Sequence, residues 1–312
     1  MTQFSEKHTR RDALKCLAAG SSGTLFLMSG GIFTPVALAQ YASEGRAKNA
    51  GVPLLLQISD THIGFKGGAN PDVPGSLRRT IELVNAMPNK PSLVLHTGDI
   101  THLSKAEEFD LAQQLLSGLP ITDMHAVPGE HDVIDGPGTE FFNRFGAISN
   151  RRGFYSFDHA GVHFVGLVNV MNFKPNGLGA LGEEQLEWLK KDLESRSAST
   201  PIVVFAHMPL WNVYEPWGWG TGDADQAMSL LRRFGSVTVL NGHIHQIVQK
   251  VEGHITFHTA RSAAYPQPRP GDGAGPGPLS VPMEQLPSFL GVTSVTFANG
   301  SQGLALTDTP LA

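Results

Sequence analysis

Leu54-Leu55-Leu56-Gln57-Ile58-Ser59-Asp60-Thr61-His62 is the stretch from which the fold is read. It begins as a short apolar run of strand length and ends in residues that are costly to bury without partners. The same pattern recurs downstream. Ser92-Leu93-Val94-Leu95-His96 leads to Gly98-Asp99, and His125-Ala126-Val127 leads through Pro128-Gly129 to Glu130-His131-Asp132. Ile202-Val203-Val204-Phe205 leads to Ala206-His207, and Val237-Thr238-Val239-Leu240 leads to Gly242-His243-Ile244-His245. Open α/β sheets bind ligands beyond the carboxyl ends of their strands, so these side chains are expected to converge on one site.

Between the first apolar runs the spacing turns helical. Leu77, Ile81 and Val84 predict a helix over residues 76–87, and further helices are expected over 105–116 and 181–193. Later segments read as hairpins: 154–157 with 162–167 around Asp158-His159-Ala160-Gly161, and 293–297 with 303–307 turning at Asn299-Gly300. Strands are also expected over 247–251 and 255–257. Alternating units followed by hairpins predict a mixed α/β domain with two sheets. Residues 266–278 (PQPRPGDGAGPGP) are the one low-complexity segment and read as a connecting loop.

The 312 residues are 41% apolar and 16% charged, too apolar for a disordered chain. The single Cys16 excludes a disulfide scaffold, a zinc ribbon and a CxxC redox site. A net charge of −5 argues against a broad electrostatic nucleic-acid binder. Residues 1–39 read as an export signal: Thr9-Arg10-Arg11 in a basic start, a mildly apolar stretch, then Ala37-Leu38-Ala39 as a small-x-small cleavage site. The paired arginines resemble a twin-arginine (Tat) signal, which implies the Tat translocase as a partner and a periplasmic or secreted destination. Residues 40–52 are then a linker and 53–312 a single domain. No segment beyond the signal approaches spanning length, so no stable membrane insertion is expected after cleavage. Loss of residues 1–39 leaves a chain of about −7.

Carboxylates and imidazoles together suit divalent first-row transition metals, and two such ions a few ångströms apart need a shared carboxylate. Asp60/His62 and His243/His245 each skip one residue, so both members can face one side of an extended segment. Glycines before Asp99, Glu130 and His243 allow close approach.

The ordered series Asp60-x-His62, Gly98-Asp99, Gly129-Glu130-His131-Asp132, His207 and Gly242-His243-x-His245 resembles the calcineurin-like metallophosphoesterase superfamily. The resemblance runs from Ile58 to about Gln246, and 181–189 resembles a helix common in these enzymes. It implies a four-layer αββα sandwich of two mixed β-sheets with flanking helices. It also implies two divalent or trivalent metal ions, of iron, manganese or zinc. Asp60, His62 and His245 would hold the first, Asp99 would bridge, and His207, His243 and position 130 would hold the second. His131 would be the general acid, and a hydroxide between the metals would attack the phosphorus of a small-molecule phosphate ester. The compact chain is similar to the cyclic-nucleotide phosphodiesterase branch more than to two-domain nucleotidases, which implies a phosphodiester substrate.

Two positions depart from the family pattern. Glu130 stands where the family has Asn, adding a negative charge to the site. That leaves three outcomes open: a preference for monoanionic diesters, a trivalent iron, or a retired site. His102 stands where many relatives carry an Asp that orients the catalytic His; Asp132 is one alternative orienter. His159, His163, His254 and His258 read as surface or strand histidines, and His96 and His125 as buried or supporting ones. Trp211, in the Gly-rich stretch 211–226, and Arg261 are candidates for contacting substrate. A phosphomonoesterase or pyrophosphate-cleaving enzyme, and a non-enzymatic periplasmic metal-binding or assembly factor, are the rival readings.

Overall fold

The computed structural model describes residues 24–29, 32–37, 53–149, 152–171, 177–297 and 304–312. Residues Met1–Gly51 and Val52–Ala312 form two compact units. In the first, β1 (Thr24–Ser29) and β2 (Ile32–Ala37) pair antiparallel. Arg10, Arg11 and the Ala37-Leu38-Ala39 cleavage site, apart from Ala37, lie outside the described residues, as does the linker 40–52.

The second unit contains two mixed sheets. The five-stranded sheet has the order β13-β12-β3-β4-β5. Its members are β3 (Leu55–Ile58), β4 (Val94–His96), β5 (Met124–Ala126), β12 (Gly291–Phe297) and β13 (Leu304–Pro310). The six-stranded sheet has the order β10-β11-β9-β8-β7-β6. It comprises β6 (Tyr155–His159), β7 (Val162–Gly166), β8 (Ile202–Phe205), β9 (Val237–Asn241), β10 (Gln249–Glu252) and β11 (Ile255–Thr259). β3, β4 and β5 run parallel to one another, as do β7, β8, β9 and β11. The hairpin expected around Asp158-His159-Ala160-Gly161 forms there, whereas Asn299 and Gly300 of the C-terminal turn lie outside the described residues.

Helices cover the outer faces. α1 (Val73–Ala86) and α2 (Ala106–Leu116) pack Leu77, Val84, Phe109 and Ala112 against Leu56, Ile58 and Val94. α3 (Thr139–Phe145) adds Phe141 and Phe142 to the same core. On the other side, α4 (Glu183–Glu194) and α5 (Ala224–Leu231) place Leu189, Leu193, Ala227 and Leu231 against Val165, Val204 and Val239. A third core lies between the sheets, where Leu55, Leu95 and Val127 meet Phe164, Val203, Phe205 and Leu240. The two-residue period of a strand explains the sorting: Leu55 faces the opposite sheet and its neighbour Leu56 faces the helices. The layers are therefore helix, sheet, sheet, helix, as the resemblance implied.

α1 begins three residues before the sequence periodicity does. Asp72 caps it by accepting the Gly75 amide at 2.9 Å, and Pro74 is tolerated because a first-turn amide has no intrahelical partner. α5 starts inside the Gly-rich stretch 211–226, which also carries a 3-10 turn at Glu215–Trp217. Residues 266–278 form a loop as expected, and the short α6 (Leu286–Phe289) follows it. Among the described residues no helix is long and apolar enough to cross a membrane.

Candidate metal centre

Because β3, β4, β5, β8 and β9 enter their sheets in parallel registers, the loops that follow them gather at the carboxyl ends of the strands. They bring together all seven side chains expected to bind metal, in two groups. In the first, His245 Nε2 lies 3.1 Å from His62 Nε2 and 3.3 Å from Asp60 Oδ1. In the second, Glu130 places Oε2 2.9 Å from His207 Nε2 and Oε1 2.9 Å from His243 Nδ1. Asp99 stands between them, with Oδ2 3.4 Å from His62 Nε2 and 3.4 Å from His207 Nε2. Each trio draws on both sheets: Asp60, His62 and Glu130 follow strands of the five-stranded sheet, and His207, His243 and His245 follow strands of the six-stranded one.

The backbone achieves this by an unusual route. Asp60, His62, Asp99, His243 and His245 all adopt φ between 41° and 70°, the left-handed region that non-glycine residues rarely occupy. Members of the Asp60/His62 and His243/His245 pairs thus share a side through left-handed turns, not through the strand alternation the sequence suggested. Such conformations cost about 1 kcal/mol or more each and persist only where surroundings enforce them. The loops are tightly interlocked: His62 N donates to Asp99 O, and His243 N donates to both carboxylate oxygens of Asp60. Gly129 is required by close approach, since a Cβ there would overlap the Asp99 carboxylate.

The donor atoms fit a cation. Glu130 Oε2, His207 Nε2 and His243 Nδ1 are buried, and none makes a directed hydrogen bond. Orphaned lone pairs converging at close range are unfavourable unless an ion or proton joins them. The far ring nitrogens are meanwhile committed: His207 Nδ1–H donates to Thr97 O at 2.7 Å, and His245 Nδ1–H to Tyr265 O at 2.6 Å. This fixes both imidazoles with Nε2 toward the cluster, the tautomer a metal ligand needs.

Electrostatics in the cluster are strong. Burial pushes the Glu130 carboxyl up, but His243 and His207 outweigh it and hold the group ionised, well below the usual range. Asp60 is lowered likewise, its burial being outweighed by His245 and His207. Burial alone would lower His207 and His131, yet Asp99 and Glu130 raise both imidazoles, His207 well above its ordinary value. His62 is held well below by burial, with His131 and His245 adding to it.

Asp132, the alternative orienter considered from sequence, does not hold His131. The His131 Nδ1–H donates to the backbone carbonyl of His102, and the His102 ring stacks on it. Asp132 serves instead as a loop fastener, accepting from the amides of Ile100, Thr101 and Gly129 and from the Thr101 hydroxyl at 2.8–3.0 Å. His102 Nδ1 also lies 3.4 Å from His62 Nδ1. Tyr265, absent from the sequence reading, stacks on His62 with ring centroids 4.9 Å apart and supplies the carbonyl for His245.

The substrate candidates separate. Arg261 borders a cavity that reaches His245, with its Nη1 held by Ser288 O at 2.6 Å. Trp211 packs its ring on Phe257, 5.0 Å away, at the helix-covered face of the six-stranded sheet. His96 supports the site, bonding Thr61 Oγ1, and burial lowers it to about 3. His163 and His258 are fully buried strand residues paired with carboxylates, and His254 is exposed.

A two-sheet sandwich with a buried carboxylate between two His/carboxylate trios defines a metal-dependent phosphoester hydrolase. Residues 53–247 match the family model described as calcineurin-like phosphoesterase, and the chain belongs to that family. It is 27% identical over 225 residues to a protein of Arcobacter nitrofigilis described as a probable glycerophosphodiester phosphodiesterase GpdQ, covering 68% of this chain and 79% of the relative. It is 24% identical over 229 residues to the glycerophosphodiester phosphodiesterase GpdQ of Enterobacter lignolyticus, covering 69% and 79%. Its fold is similar to the crystal structure of a dimetal phosphatase from Danio rerio, with a TM-score of 0.63 at 14% identity over 83% of this chain and 97% of the other.

Proposed function

We propose that this metallophosphoesterase hydrolyses a small-molecule phosphodiester at the centre bridged by Asp99. The observation that carries the reading is Asp99 Oδ2 at equal distance from one histidine of each trio. Asp60, His62 and His245 would hold one ion, Glu130, His207 and His243 the other, and Asp99 both. Imidazole and carboxylate donors suit iron, manganese or zinc. When bound, two such ions supply a nucleophile from water near neutral pH and screen the phosphoryl oxygens.

The chain's own residues favour a diester. The carboxylates of Asp60, Asp99 and Glu130 against two divalent ions would leave a weakly cationic centre, which attracts a monoanion without demanding a dianion. The names of the Arcobacter and Enterobacter relatives agree with that choice. His131, with Nδ1–H given to His102 O, presents Nε2 as the atom that protonates the departing alkoxide. His62 and His245 are nearly excluded from water beside Tyr265, His62 stacked on its ring and His245 held by its carbonyl.

Export through the Tat pathway to the periplasm belongs to the same proposal, supported by Arg10-Arg11 and Ala37-Leu38-Ala39. The test is metal analysis of the purified protein, paired with hydrolysis of bis-p-nitrophenyl phosphate and p-nitrophenyl phosphate. Two ions per chain with faster diester turnover is the expected result; monoester preference overturns the diester reading.

A further inference from the structure

A cavity of about 460 Å³ opens beside His245, within the size range of small-ligand pockets. His245 belongs both to the first trio and to the cavity wall. The other walls come from regions to which the metal chemistry gives no role. Ile247, Pro266, Pro268, Leu279 and Phe289 form an apolar lining, and Arg261 and Arg269 add two guanidinium groups. Asp272 is the one carboxylate on the wall, and it shares the exposed rim with Arg269, while Arg261 lies deeper.

The roof is the Pro/Gly-rich loop, and it is held in place. Gln246 Nε2 donates to the carbonyls of Gln267 and Pro268 at 3.2 and 2.5 Å, and Gln267 Nε2 donates to His243 O at 3.2 Å. Leu279 N closes the loop on Pro266 O at 2.8 Å. Long loops without regular structure in compact domains are commonly binding loops. This one is fastened to the backbone carbonyl of His243 and to the side chain of Gln246, so the cavity is shaped in advance of any ligand. Arg261 is fixed through Ser288 O, and its Nε is buried without a hydrogen-bond partner. Among the described residues the Arg269 guanidinium has no ion-pair partner.

We propose that this cavity receives the non-reacting substituent of the ester and selects one with an apolar body ending in an anionic group. The inference rests on the diesterase reading. Arg261 within and Arg269 at the rim, against the single rim carboxylate Asp272, set the sign of the terminus, and the Pro, Ile, Leu and Phe lining sets the body. The pocket is a specificity device separate from the metals, since none of its polar side chains other than His245 belongs to either trio.

The experiment uses three p-nitrophenyl phosphodiesters whose second substituent is hexyl, 5-carboxypentyl or 5-aminopentyl, assayed with the wild type, Arg269→Ala and Arg261→Gln. Lys190→Ala, a cation on α4, is the control. The carboxylate ester is expected to exceed the hexyl and amino esters in kcat/KM by roughly three- to tenfold, the scale of partly exposed ion pairs. The two arginine variants should close that gap, and Lys190→Ala should preserve it. Equal turnover of all three esters, an amine preference, or a parallel fall on all three in the arginine variants overturns the proposal. Calorimetric titration with hexylphosphonate and 5-carboxypentylphosphonate separates the two readings. If no diester turns over but the carboxylate phosphonate binds more tightly, and Arg269→Ala removes that difference, the diesterase reading falls and the pocket stands. Equal binding of the two phosphonates by the wild type overturns the pocket.

Discussion

His131 gives its Nδ1 proton to the backbone carbonyl of His102 at 2.7 Å, and the two imidazoles stack with centroids 4.7 Å apart. The bond fixes the tautomer and the stack fixes the tilt, so one residue sets both. If His131 Nε2 protonates the leaving group, its loss matters most where the leaving alkoxide is basic. His131→Ala should lower kcat for alkyl diesters by about 10²–10³-fold and for bis-p-nitrophenyl phosphate much less, since p-nitrophenolate needs little protonation. His102→Ala keeps the carbonyl but removes the stack, and should show the same leaving-group dependence at a smaller size. A loss equal across leaving groups in His131→Ala would show that the residue does not act as the acid.

Asp132 joins the loop after β4 to the loop after β5 through four accepted hydrogen bonds. Asp132→Ala leaves three buried amides and a hydroxyl unsatisfied, and should cost about 3 kcal/mol of stability. Because Asp99 and Glu130 sit on the two joined loops, bound metal should fall below two ions per chain. Denaturant titration alongside metal analysis checks both outcomes; full metal content with unchanged stability would contradict the fastening role.

Glu130 contributes the third carboxylate of the centre. Replacing it by neutral Asn removes one negative charge within contact distance of His207 and His243. Glu130→Asn should raise the ratio of p-nitrophenyl phosphate to bis-p-nitrophenyl phosphate turnover by roughly tenfold, as a more cationic centre favours the dianion. An unchanged ratio at equal metal content would remove charge as the basis of selectivity.

Away from the centre, buried His163 is clasped between Asp158 at 2.8 Å and Asp192 at 2.7 Å. Burial pushes the Asp192 carboxyl up, but His163 and Ser156 outweigh it and hold it below its ordinary value. Asp158 is lowered likewise, though it is more than half exposed and its share is screened by solvent. A depressed carboxyl stabilises fully above its unfolded pKa of about 3.9 and ceases to do so as pH falls through its folded value. Metal-free protein should therefore lose stability below about pH 4. Asp192→Asn should be less stable than the wild type at pH 7, with the difference narrowing toward pH 2.5 in denaturant titrations.

Much of this was legible in the chain. Apolar runs ending in Asp60, Asp99, Glu130, His207 and His243 mark parallel strands, because a buried strand shows as a short continuous apolar run. The seven donor residues follow from the same reading. What escaped it were contacts made by backbone atoms. The carbonyls of Thr97, His102 and Tyr265 fix three histidines, and any residue type has a carbonyl. Asp132 was visible, but its partners are amides of Ile100, Thr101 and Gly129, so its side chain looked available for His131. Trp211 illustrates the opposite error: an aromatic near His207 in sequence packs on Phe257 instead. His163 and His258 are paired while buried with Asp192 and Asp308, carboxylates distant in sequence that no local pattern announces.

Each trio takes members from both sheets, separated along the chain by as much as the distance from Asp60 to His245. An ion held by such a set is a reversible cross-link between the two halves of the sandwich, closing long loops of chain as a disulfide would. Residues 53–312 have no cysteine to supply such a bond, the one thiol of the chain being Cys16. Metal occupancy would then govern how readily the sheets part, and a chain emptied of its ions would lose mechanical cohesion along with chemistry.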